Sequence, residues 1–162
     1  MSQTILSEHT CLPGDADLRG RNRETVEKYL SMHGDARTER YLLFTEDGRG
    51  GLRTTDSGEP IQAVGRDALK SADAQNSQYF PGFTWSDVQI FDTQDPNRFW
   101  AECSGTGTVR FPAYPEAVYT NHYIHSFVME DGLIKEYWEY MNPCAEFRAL
   151  GIEVPTVERP FV

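Results

Sequence analysis

The sequence predicts an α+β domain, with helices in its first half and an antiparallel sheet in its second. Two observations carry this. Apolar residues recur at helical spacing as far as Pro81, and beyond it aromatic and β-branched residues crowd into four runs separated by turn signals. A third observation sets the scale: 162 residues suffice for one domain with a proper core and not for two of ordinary size.

The first fourteen residues are polar, include a Pro-Gly, and are expected to form an arm (1–14) ahead of a single domain (15–162). In "DLRGRNRETVEKYLSMHG", Leu18, Val26, Tyr29 and Leu30 share a helix face and Gly34 supplies a stop. A second helix is expected from Asp35, through "DARTERYLLFTEDG", closed by Gly48; Gly50–Asp56 reads as a short strand and "SGEP" as a turn. "GRDALKSADAQNSQYF" predicts a third helix that Pro81 ends. Four strands follow in "FTWSDVQIFDT", "RFWAECSGTGTVRF", "VYTNHYIHSFVME" and "LIKEYWEYMN", joined by "DTQDPN", "YPEA" and a tight "EDG" hairpin. A bulge is expected at Gly105–Gly107, and "CAEFRALG" adds a short C-terminal helical segment. Three helices wrapped by a strongly curved sheet make a cone with an open-ended pocket.

Composition narrows the function. A formal charge of −10 opposes an electrostatic hold on nucleic acid or on an anionic membrane. No apolar run approaches the roughly 18–20 residues of a spanning helix, and the first residues lack the basic and apolar regions of a secretory signal, so a cytoplasmic location is expected. Cys11, Cys103 and Cys144, odd in number and without a CxxC, read as free thiols. His122 and His125 lie three apart on a strand and point to opposite faces, so no metal site is expected there. Phosphate loops and Ser or Cys nucleophile motifs are absent, which leaves acid/base chemistry in a pocket or simple binding.

Glu136 and Glu139 also part company on a strand. A two-residue hairpin loop pairs Glu130 with Leu133 and sets Glu139 opposite Ile124, near His122. A three-residue loop pairs Met129 with Leu133, His125 with Tyr137 and Tyr123 with Glu139. One face then carries Tyr119, Tyr123, His125, Phe127, Tyr137, Glu139 and Met141, with Glu136 and Trp138 on the other. In such a pocket Glu139 has a raised pKa and can trade protons near neutrality; otherwise it is a half-exposed strand acid bonded to a tyrosine. Arg40 lies on the pocket-side helix, where it can pair with a substrate carboxylate or stay an exposed surface arginine.

The motifs "RNRETVEKY", "LFTEDGRGGLRTTDSGEPI", "YFPGFTW", "IFDTQDPNRFWAEC", "FPAYPE", "NHYIHSF" and "EYMNP…RALGIEVP" resemble phenazine-biosynthesis proteins of the PhzA/PhzB type, over Leu18 to Pro155. The resemblance implies an NTF2-like (SnoaL-like) cone, a homodimer or a heterodimer with a paralogue, and no cofactor. It implies a small-molecule substrate, an aminocyclohexenone carboxylic acid (an aminoketone), two molecules of which condense to the tricyclic phenazine precursor. It places a pocket acid on Glu139, a pocket tyrosine on Tyr119 and a carboxylate-binding arginine on Arg40. His125 and Tyr123, on the strand face derived above, are a further catalytic candidate and a substrate neighbour. Having Tyr119 and Glu139 share a face favours the three-residue loop. Two substrate-site positions depart: Ala72 stands where competent members carry a histidine, and Asn76 where they carry a serine. The alternatives are a substrate-binding or structural paralogue of a histidine-bearing partner, or a related ketone isomerase or cyclase on the same cone.

Overall fold

The computed structural model describes residues 14–160, so the expected arm lies almost wholly outside them, as does Cys11. Helix α1 spans Asp15–Ser31, a 3-10 helix Gly34–Leu43, α2 Arg66–Tyr79 and α3 Pro143–Ala149. Strands β1 (Phe44–Leu52), β2 (Ile61–Val64), β3 (Thr84–Asp92), β4 (Arg98–Val109), β5 (Ala117–Glu130) and β6 (Leu133–Met141) form one sheet in the order β2-β1-β6-β5-β4-β3. All neighbours are antiparallel except β1 and β6, which run parallel. The α+β cone is therefore as expected, with one correction to an all-antiparallel sheet.

The second helix is another correction. It is 3-10 and stops at Leu43, and "FTEDGRGGL" continues as strand β1 rather than as helix to Gly48. Phe44 belongs to the core, and pairing with both β2 and β6 outweighs the helical look of "TERYLLF". Strand β2, short and mostly exposed, gives no alternating pattern to detect.

α1 is seated by apolar and polar contacts together. Val26, Tyr29 and Leu30 enter the core with Phe44, Phe127, Ile134 and Tyr137, and the Tyr29 ring meets Tyr137 at 4.7 Å. Asn22, fully buried, donates to the carbonyl of Pro96 and to Asn97 Oδ1 (both 2.9 Å), and its own oxygen accepts from Gly132 N–H (3.0 Å). One side chain thus ties the helix to the β3–β4 and β5–β6 turns.

The β5–β6 hairpin settles the register question by a route neither expectation named. Its loop has two residues, Asp131 (φ 50°) and Gly132 (φ 85°), both left-handed as a type I′ turn requires, and Glu130 pairs with Leu133. A bulge follows at once: Met129 pairs with Ile134 but Val128 with Glu136, leaving Lys135 as the extra residue. Beyond it His125 lies opposite Glu139 and Tyr123 opposite Met141. The expected face is recovered, but its pairings are shifted, because the bulge does what the longer loop was expected to do. Lys135 itself pairs with Asp47 at 2.6 Å outside the cavity.

No bulge occurs at Gly105 or Gly107; both pair regularly with β5. They are glycine because Phe83 lies on them: a Cβ would stand 2.7 Å from the Phe83 ring at Gly105 and 2.6 Å from Phe83 Cα at Gly107. The irregularity instead falls on β3, between Ser86 and Gln89, where Asp87 has φ 55°.

Candidate active site

A cavity of about 970 Å³ lies inside the cone, walled by the 3-10 helix, α2, α3 and the inner face of the sheet. It holds one acid on β6, two arginines on the 3-10 helix, phenols on β5 and β6, and further acids on α2 and α3. Glu139, Tyr119, Tyr123, Arg40, Ala72 and Asn76 all border it, so six of the seven residues singled out from the sequence are brought together. The seventh, His125, has the expected face but is fully buried behind the wall and does not border the cavity.

Glu139 is a quarter exposed, and among the described residues its Oε1 accepts no hydrogen bond, while Oε2 accepts from the Tyr137 hydroxyl at 2.9 Å. Burial raises its pKa; the Tyr137 bond, Arg40 and Arg37 pull the other way. Behind it, Tyr137 Oη lies 2.8 Å from His125 Nδ1, and His125 Nε2 lies 3.1 Å from Cys103 Sγ. Burial, with Arg40 as a lesser cause, holds the imidazole down to about 3, and burial pushes the Cys103 thiol up to about 12. Both are neutral at physiological pH, and this pair is no activated nucleophile.

Arg40 is a buried arginine rather than a surface one. Its guanidinium stands 4.7 Å from the centre of the Tyr29 ring, Nη2 donates to Met32 carbonyl at 2.6 Å, and buried Nε has no partner among the described residues. An unmet buried N–H costs about 1–3 kcal/mol, which a ligand oxygen would relieve. Arg37, three residues earlier and so on the same face of a 3-10 helix, also borders the cavity and donates to Phe80 carbonyl at 3.0 Å. Burial and Arg40 lower its pKa.

The phenols form a second network. Tyr119 Oη accepts from Tyr123 (3.0 Å) and from Asn121 Nδ2 (2.7 Å), so its own proton is available to a ligand. Burial raises the pKa of both tyrosines, keeping them neutral donors.

Sequence reasoning passed over Arg37, Asp73, Asn121 and Glu146. Arg37 repeats Arg40 at i−3 and Asn121 continues the alternation of Tyr119 and Tyr123, so both carried a usable signal. Asp73 on α2 accepts from Tyr41 N–H at 2.9 Å, and burial lifts it to about 6 against the pull of Arg40. Nothing in its sequence surroundings marks it. Glu146 stands in the first turn of α3, where an acid reads as a dipole partner; burial, Asp56 and Glu139 raise its pKa. Among the described residues no group of three or more His, Cys, Asp or Glu can hold a metal ion, and no helix is long and apolar enough to cross a membrane.

Against known proteins, residues 7–162 match the family model of phenazine biosynthesis protein A/B. The chain is 49% identical to phenazine biosynthesis protein PhzB1 of Pseudomonas aeruginosa, over 88% of each chain. It is 46% identical to PhzA2 of the same species, over 95% of this chain and 97% of that one. The crystal structure of a phenazine biosynthesis-related protein (PhzB2) from P. aeruginosa superposes with a TM-score of 0.90 at 46% identity, over 91% of this chain and 96% of that one. A SnoaL-like protein of Jannaschia sp. CCS1 has the same fold (TM-score 0.65, 16% identity, 83% and 94% covered). A match across nearly the whole chain, with close to half the residues identical in relatives of both types, has one meaning: the chain belongs to the phenazine biosynthesis protein A/B family.

Proposed function

We propose that this protein acts in phenazine biosynthesis by condensing two molecules of an aminocyclohexenone carboxylic acid, with orientation in the cavity and proton transfer at Glu139 as its means. The observation that carries this reading is the Glu139 carboxyl, set in an aromatic cavity with one oxygen held by Tyr137 and the other without a partner among the described residues. Arg40, with its orphan Nε, and Arg37 receive a substrate carboxylate. Tyr119 donates its free proton to a carbonyl or carboxylate oxygen, and Tyr123 holds Tyr119 in place.

In the reaction the amine nitrogen of one molecule adds to the ketone carbon of the other. The carbonyl electron pair moves to oxygen, which takes the Glu139 proton, and the carboxylate recovers a proton from nitrogen. Glu139 then protonates the hydroxyl, which leaves as water while the nitrogen lone pair forms the C=N bond, and the carboxylate takes the remaining proton from the iminium nitrogen, which restores the acid. Orientation of the two molecules is worth up to roughly 7–11 kcal/mol, and the acid/base group adds about 10²–10⁴-fold.

A second reading rests on Ala72, which gives the α2 wall no proton donor at that point of the cavity. In it the chain binds substrate and a histidine-bearing paralogue performs the chemistry. Tricycle formation from the purified aminoketone decides between them. Under the first reading the wild type accelerates it and Glu139→Gln loses on the order of 10²-fold or more. A wild-type rate equal to the uncatalysed one, with a product analogue still bound and a large gain in Ala72→His, establishes the second.

A dimer belongs to the same proposal, with a second copy or a paralogue as partner. Its support is the outer face of the sheet, where Phe91 pairs with Trp100 and Ile124 with Tyr140, and the Trp100 and Tyr140 rings approach to 6.2 Å. Phe91, Trp100 and Ile124 are all exposed there.

A further inference from the structure

Counting hydrogens along the chain of contacts behind Glu139 leaves one arrangement. Glu139 Oε2 accepts from the Tyr137 hydroxyl, both when the carboxyl is ionised and when it carries its proton on the unpartnered Oε1, so Tyr137 spends its single proton there. Tyr137 Oη must then accept at its contact with His125, which makes Nδ1 the protonated nitrogen of the imidazole. A neutral imidazole has one N–H, so Nε2 is a bare acceptor, and the group facing it is the Cys103 thiol. The four residues come from β4, β5 and β6, and the two innermost are almost wholly removed from solvent: His125 is 0% and Cys103 1% exposed. Aromatic rings enclose the imidazole: those of Tyr123 and Tyr137 lie nearly parallel to it, at 6.0 and 5.8 Å between centres, and Trp85 stands edge-on at 4.8 Å.

We propose that Cys103 and His125 are positioning residues for Glu139: the thiol fixes the imidazole as its Nδ1–H tautomer, and that N–H directs the Tyr137 proton onto Oε2, leaving Oε1 as the carboxyl's working oxygen. The inference rests on Glu139 being the acid/base group of the condensation. Neither positioning residue borders the cavity, so neither touches substrate. Their effect is to decide which oxygen exchanges protons and how strongly the carboxylate form is favoured. A buried thiol is well suited to the first position. It donates weakly and is too little acidic to compete for the charge.

The tautomer is measured directly, from the 15N shifts of His125 in the full-length protein. The expected result is Nδ1–H, unchanged from about pH 8 to pH 5 because the buried ring does not charge in that range. An Nε2–H tautomer in the wild type overturns the proposal. Cys103→Ala, a small change in volume, frees Nε2 to take the proton; Nδ1 then accepts from Tyr137, and Glu139 loses its donor. Since a donor favours the charged carboxylate, the Glu139 midpoint, followed by carboxyl 13C, rises by about half a pH unit or more. The matching limb of the kcat profile moves the same way, and kcat falls about three- to tenfold. Cys103→Ser, which keeps a donor, restores the wild-type limb; a merely structural thiol predicts no movement in either variant and overturns the proposal.

Other titratable groups around the cavity are Tyr29 on α1 (which also hydrogen-bonds Tyr137), Arg37 and Arg40 on the 3-10 helix, Asp73 on α2, Tyr119 and Tyr123 on β5 and Glu146 on α3. None contacts Cys103 by a hydrogen bond, so none explains a limb shift specific to that thiol. If Glu139→Gln leaves the condensation rate intact, the catalytic reading of Glu139 fails, while the tautomer and the carboxyl titration still test the relay.

Discussion

Asp73 and His125 respond to burial in opposite directions, and stability should record both. The Asp73 carboxyl is raised to about 6 in the fold from an ordinary value of 3.8, so the native state holds its proton more tightly than the unfolded chain. Stability from the protonated form is complete below about pH 4 and is lost as pH rises through about 6. Asp73→Asn should therefore match wild type near pH 4 in urea unfolding and exceed it near pH 7, by on the order of 2–3 kcal/mol. His125 works the other way: held down to about 3, it makes acid unfavourable, and its contribution is lost as pH falls from about 6.5 towards 3. An equal Asp73→Asn difference at both pH values would show that Arg37 and Arg40 neutralise the acid more fully than its surroundings suggest. At this scale sequence reading reached the face of each strand residue but not its depth. Parity put Glu139 and His125 side by side; only the packing of Tyr137 and Trp85 shows that one meets the cavity and the other lies behind it.

Among elements, the strand pattern after Pro81 was legible because β4 and β5, at the middle of that run, alternate between a buried and an exposed face. The 3-10 helix and β1 were not, because "YLLFTEDG" has apolar residues at helical spacing while its pairing partners, β2 and β6, lie elsewhere in the chain. Glycines in β4 were read as a bulge, whereas their cause is a ring stacked from outside the strand. That cause can be measured. Gly107→Ala should cost about 1–3 kcal/mol, since its Cβ meets the Phe83 backbone. Gly105→Ala meets the rings of Phe83 and Tyr123, so its cost should shrink in a Phe83→Ala background. Additive losses in that double-mutant cycle would mean that Tyr123 alone excludes a side chain there.

On the scale of the whole molecule, the cone and its cavity followed from element order, while the chemistry inside it needed relatives and geometry together. No periodicity announces that Arg40 is buried with an unmet N–H or that α3 brings Glu146 to the cavity. The outer face is equally informative. If Trp100 and Ile124 lie in an interface between copies, Trp100→Glu should convert a dimer to a monomer in sedimentation experiments without changing far-UV dichroism. A wild-type protein that sediments as a monomer at tens of micromolar would remove the dimer from the proposal.

The extra residue in β6 has a consequence for how this family can change in length. Lys135 is the residue that the bulge absorbs, and the pairings on either side of it, Met129 with Ile134 and Val128 with Glu136, follow one another as in a regular hairpin. Losing Lys135 alone would close the bulge and leave Glu139 opposite His125. Losing a second residue between the turn and Glu139 would slip the register by one and turn the strand inside out, carrying Trp138 into the cavity and Glu139 to the surface. This short segment can therefore lose one residue but not two.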